Sequence, residues 1–147
     1  MPIVWGVDHA ARLVSATASG DLDRADIEEY LDGLVAAATL SYRKILDMAQ
    51  GRLALSREDM AALGARIRVH EGLRPMGSVA VVVGSTDLYE QVRLFEDVVA
   101  ARRPLRVFRD ATTAYAWLAV GLAEGVELTS LRRAAAARQA TPTTGGI

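Results

Sequence analysis

The stretch Val79-Ala80-Val81-Val82-Val83, bounded by Gly77 and Gly84, decides how the rest of the chain is read. A short, continuous, β-branched run with no polar alternation predicts a strand buried on both faces. Such a strand needs a covering layer on each side, and the flanking sequence supplies helices. Downstream, Ser85 predicts the cap of a helix whose stripe is Leu88, Val92, Phe95 and Val99, and Pro104 stops it. Leu105 to Phe108 reads as another strand, and Asp110 can cap a further helix containing Tyr115, Trp117 and Leu118. Upstream, Ser56-Arg57-Glu58-Asp59 opens a helix whose inner face is Met60, Leu63, Gly64 and Ile67. Tyr42 to Leu46 precedes it as a short strand ending at Asp47.

Towards the N-terminus the period changes. Ile3, Trp5 and Val7 alternate, Asp8 to Arg12 supplies a polar turn, and Leu13 to Ala18 resumes the extended pattern until Gly20 breaks it. Two such runs predict an antiparallel hairpin. Asp23 and Asp26 resemble a capping box, and Ile27, Tyr30, Leu31, Leu34, Val35 and Ala38 follow at helical spacing. The expected order is β-β-α-β-α-β-α-β-α. Strand passes to helix repeatedly in the second half, so the class is α/β, with a mixed, mostly parallel sheet and helices packed on it. One domain is expected over residues 1–121. Residues 122–147 read as a C-terminal tail, in which Val126, Leu128 and Leu131 could join an Ala/Arg helix to Arg138 before a loose end.

Composition narrows the function classes. The 147 residues are 51% apolar and 24% charged, with 17 Lys+Arg against 18 Asp+Glu, a net charge of −1 and no cysteine. That content suits a buried core without staples. Disulfides, thiolate zinc sites and thiol nucleophiles are excluded. The near-neutral balance argues against nucleic acid and anionic membrane as partners. No run reaches the length of a membrane span. Met1-Pro2-Ile3-Val4-Trp5 lacks the regions of a signal peptide, so a cytoplasmic location is expected.

Several local phrases carry a resemblance. These are the strand pair, Gly20-Asp21-Leu22 leading into an Asp-opened helix, Tyr42-Arg43-Lys44-Ile45-Leu46-Asp47, and Val107-Phe108-Arg109-Asp110 followed by Ala116-Trp117-Leu118. Over about residues 3 to 118 the chain resembles SpoIIAA-like proteins, small bacterial members of the STAS/SEC14-like group. The resemblance implies a mixed sheet, no enzymatic activity, and work done by protein–protein contact. It also implies a phosphorylatable Ser or Thr directly after an Asp at the start of the second helix. The matching stretch here is Asp47-Met48-Ala49-Gln50-Gly51, which keeps the Asp and has no hydroxyl. A regulatory module without the usual phospho-switch is therefore expected.

The candidate site residues gather at the expected carboxyl ends of the parallel strands, where loops are free to vary. They are Asp47, Met48, Gln50, Gly84, Ser85, Thr86, Asp87, Arg109 and Asp110. Asp47, Asp87 and Asp110 could hold a hard cation, but Asp87 and Asp110 equally suit helix N-termini, so no metal is assigned. Gly84-Ser85-Thr86 could receive an anion at a helix start, yet no GxGxxG or GxxxxGK[ST] supports a nucleotide. His9 and His70 lie in no metal or catalytic pattern, and no GxSxG presents a nucleophile. Arg102, Arg103, Arg106 and Arg109 read as a solvated edge around Pro104. No catalytic residue and no cofactor is assigned. The leading expectation is a non-catalytic module that binds a protein, with a homodimer as one form. The alternative is a carrier or sensor of a small hydrophobic or anionic ligand at the strand-end crevice. A hydrolase using the strand-end carboxylates is a third, weaker reading.

Overall fold

The computed structural model describes residues 2–99 and 102–121. The expectations for residues 122–147 lie outside these residues. Nine elements run in the expected order: β1 Ile3–Asp8, β2 Leu13–Leu22, α1 Arg24–Ala36, β3 Arg43–Leu53, α2 Arg57–Leu73, β4 Val79–Val83, α3 Thr86–Val99, β5 Leu105–Phe108 and α4 Ala111–Gly121. The helix starts form where the capping residues stand. Asp23 and Asp26 exchange side-chain-to-backbone hydrogen bonds of 2.9 Å at α1. Ser56 and Asp59 exchange bonds of 3.0 Å at α2.

The five strands form one sheet in sequence order, β1-β2-β3-β4-β5. β1 and β2 are antiparallel, and every later neighbouring pair is parallel. Three successive crossovers step in the same direction. Because such crossovers are right-handed, α1, α2 and α3 fall on one face. There Ala16, Ala18, Met48, Val81 and Val83 meet Leu88 and Val92, and Val14 meets Leu34, Leu63 and Ile67. α4 packs on the opposite face, where Ala114 and Leu118 cover Ile45, Ala80, Val82 and Phe108. β4 is thus buried on both sides, as its unbroken apolar run requires.

Two boundaries differ from the sequence expectation. β3 continues past Asp47 to Leu53, and β2 continues past Gly20 to Leu22. The two extensions pair with each other, Ser19 with Gln50 through Leu22 with Leu53, and project beyond β1 and β4. The ladder satisfies the backbone there, so exposed polar residues that look like loop remain in a strand. Gly20 does not end β2. Its φ of +73° lies just past a register irregularity between Thr17 and Ser19.

Candidate functional site

The carboxyl ends of β4 and β5 are adjacent, because Val82 pairs with Phe108. The turn Gly84–Ser85 and the pair Arg109–Asp110 therefore follow neighbouring strands, with Ala49 of the continuing β3 next to Gly84, while Thr86 and Asp87 open α3 on one face and Asp110 leads into α4 on the other. All these residues are exposed. Two of the expected site residues need correction. Met48 is only 2% exposed, belongs to the core under α3 and faces the pocket between sheet and helices and not the outer surface. Asp47 does not terminate a strand. It lies within β3, level with Thr17 and Val82, half-buried on the α4 side of the sheet.

Most polar groups on this face are engaged locally. Ser85 Oγ accepts from the Leu88 N–H at 3.1 Å, capping α3. Asp110 accepts from the Thr113 N–H at 2.8 Å and from its hydroxyl, capping α4. Those Thr113 hydrogen bonds hold the Asp110 carboxyl below the usual aspartate range. Asp47 accepts from the Ala49 N–H at 3.0 Å. Among the described residues, no group of three or more His, Asp or Glu side chains is placed to hold a metal ion. Asp87 and Arg109, by contrast, carry exposed charges with no hydrogen bond or ion pair among the described residues. Strand order never reverses across the sheet, but the chain leaves the adjacent ends of β4 and β5 towards opposite faces, into α3 and α4 respectively.

A partly open apolar space lies elsewhere. A cavity of about 110 Å³ sits between the sheet and helices α1 to α3, walled by Leu22, Leu31, Leu46, Val81 and Val92. Three polar side chains also line it: Tyr30, Lys44 and Arg103. The Tyr30 hydroxyl is buried without a hydrogen-bond partner among the described residues, and burial pushes its ionisation above the ordinary tyrosine range. Lys44 is 3% exposed and donates to the carbonyl oxygens of Leu40 at 2.6 Å and Tyr42 at 2.8 Å. Burial, reinforced by the nearby Arg103 charge, pulls its pKa down to about 7. Arg103 is not part of a solvated edge as its sequence neighbours suggest. It is buried, and its guanidinium donates to Glu96 at 3.2 Å, while Glu71 accepts from its backbone N–H.

Sequence reasoning passed over this cavity. The available signal was the strand period: Lys44, Leu46 and Met48 share one face, so a strand through them points a lysine at the core. His9 forms a separate surface contact, with Nδ1 2.8 Å from the Tyr42 hydroxyl. His70 stands in the last turn of α2.

Comparison with known proteins agrees with the architecture. Residues 13–119 match the family model described as SpoIIAA-like. A crystal structure from Shewanella loihica PV-4, of an uncharacterized protein from the DUF3478 family with a SpoIIAA-like fold, superposes with a TM-score of 0.55 at 18% identity. The match covers 79% of this chain and 93% of that one. No functionally curated protein matches. Among the described residues, no helix is long and apolar enough to cross a membrane.

Proposed function

This chain belongs to the SpoIIAA-like family, and on that premise we propose that it is a non-catalytic regulatory module. It acts by contacting a protein partner through the strand-end face. The observation that carries this reading is two exposed charges without a side-chain partner among the described residues, Asp87 in the first turn of α3 and Arg109 in the turn before α4, which follow two adjacent strands. Their neighbours Ser85 and Asp110 are occupied as caps and fix the loop backbones that present them. Electrostatic matching across such a rim sets partner choice and register more than raw affinity.

The usual phospho-switch has no place to act in the matching stretch. Residues 47–51 contain no hydroxyl, Met48 is buried, and the segment continues a strand where a helix start would be needed. A second copy of the chain is one protein this face could meet.

Affinity capture with Asp87→Arg and Arg109→Glu tests the reading. Arg109 is exposed and unbonded among the described residues, so Arg109→Glu keeps its stability within about 0.5 kcal/mol, and Asp87→Arg, in the first turn of α3, costs about 1 kcal/mol of charge–dipole stabilisation and stays folded. A protein captured in stoichiometric amount by the wild type is lost with either reversal. Undiminished capture by both variants overturns the assignment of this face.

A further inference from the structure

β1 forms one edge of the sheet, and its outer backbone is bare. Ile3 pairs with Ala18, so Pro2 stands opposite Ser19, whose N–H donates to the Pro2 carbonyl at 2.9 Å. Hydrogen-bonded and non-hydrogen-bonded pairs alternate along an antiparallel ladder. Val4, Gly6 and Asp8 therefore turn their backbone groups towards β2, and Ile3, Trp5 and Val7 turn theirs outward. Among the described residues, nothing bonds to those outward N–H and C=O groups. Proteins ordinarily blunt such edges by shortness, proline, lysine or a bulge. The opposite edge follows that rule: β5 has four residues, comes directly after Pro104 and exposes Arg106. β1 does not. It runs for six residues in unbroken register, holds no proline and no lysine, and leaves Val4 67% exposed.

We propose that β1 is a two-fold interface, on which a second copy of this chain pairs its own β1 antiparallel and continues the sheet. Centred on Trp5, the pairing sets Ile3 opposite Val7 of the second copy, Trp5 opposite Trp5 and Val7 opposite Ile3. Every outward residue of both copies is then used, each pair exchanging two hydrogen bonds. A slip by two residues keeps only two of the pairs. The same register fits the side chains. Val4 falls opposite Gly6 of the second copy in a non-hydrogen-bonded pair, where the strands come closest. A Cβ on Gly6 would meet no atom within 4 Å, so the exposed Val4 isopropyl group has open room there. The strand's single charge, Asp8, lies at its end, and the two-fold axis carries the two Asp8 carboxylates to opposite ends of the interface. Backbone, side chains and charge are thus complementary to themselves, which selects a copy over an unrelated strand.

This lateral edge is separate from the strand-end face and goes beyond contact made there. Two six-residue strands bury little surface. Contacts at the low end of the interface size range are weak, so the dissociation constant is on the order of 100 µM. At low-micromolar concentration the chain is single, and pairing takes over where copies are concentrated.

The test is amide hydrogen exchange, with sedimentation equilibrium beside it, on the full chain from about 10 µM to about 1 mM. The expected result is a shift from monomer to dimer in which the Ile3, Trp5 and Val7 amides gain severalfold protection. Those of Val4 and Gly6, already bonded to β2, change little. Val4→Lys, at an exposed position, sets two ammonium groups diagonally across the axis and weakens dimerisation at least tenfold. Adding Gly6→Glu puts a carboxylate opposite each ammonium and restores it. Asp87→Arg leaves this dimer unchanged, so failure here and failure of the strand-end face are told apart. The proposal is overturned if the three amides exchange at one rate throughout the range, or if self-association survives Val4→Lys undiminished. A double variant that stays monomeric overturns the Trp5-centred register. Dimerisation that leaves the three amides unprotected also overturns the proposal, since another surface would then hold the copies.

Discussion

Gly84, the first residue after β4, lies so close to Ala49 of β3 that a Cβ on it would stand 2.6 Å from the Ala49 carbonyl oxygen. The contact is with backbone, which cannot swing aside. It lets the loop that carries Ser85, Thr86 and Asp87 leave the sheet directly beside the extended β3. Gly84→Ala is therefore expected to displace the loop or the strand and cost about 1–3 kcal/mol. Urea unfolding measures the cost. A Gly84→Ala variant as stable as wild type would show that the close approach is not maintained in solution.

Asp47 serves the strand in this account. Its carboxylate accepts from the Ala49 N–H, and it sits opposite Val82 inside the ladder. Asp47→Ala should lower stability by about 1 kcal/mol, the ordinary worth of one such bond, and leave capture of a partner unchanged. Asp47→Asn keeps an acceptor oxygen in place and should lose less. Loss of partner capture in a fully stable Asp47→Asn would instead return Asp47 to the contact face.

Lys44 gives the protein a pH dependence of defined sign. Its folded pKa of about 7 lies below the ordinary lysine value of 10.5. Between those limits the unfolded chain binds more protons than the folded one, so stability rises with pH. Below about 7 both states hold the proton, and the full penalty of burying the ammonium applies. The slope above 7 is at most about 1.4 kcal/mol per pH unit. Unfolding midpoints from mildly acidic to mildly alkaline pH should climb for the wild type and stay flat for Lys44→Met. As the only lysine, its side chain can also be followed directly by NMR, and an ordinary lysine titration would remove this argument.

The order of elements was legible because each carries a local cause. Val79–Val83 has no alternation and lies inside the sheet between β3 and β5, while Asp23, Ser56, Ser85 and Asp110 stand at helix starts and accept the N–H groups there. The far half of β3 was not legible. Gln50, Gly51 and Arg52 are strand residues only because β2 runs beside them, and that pairing joins segments some thirty residues apart. The strand-end neighbourhood of Gly84, Asp87 and Arg109 followed from parallel order, since parallel strands finish at the same edge. The cavity did not follow, because Arg43-Lys44 looks like a charged strand entry. The strand period puts Lys44 on the face of Leu46 and Met48, but the charge pair masks it, and packing buries both side chains, at 4% and 3% exposure.

Native mass spectrometry of the full chain, isolated from its own host beside Asp87→Arg and Arg109→Glu, tests protein contact most directly. The account predicts a stoichiometric complex of the wild-type chain with a protein, a second copy included, and free, folded chain for both variants. A wild-type chain with no bound protein, or a complex that survives both charge reversals, would contradict it.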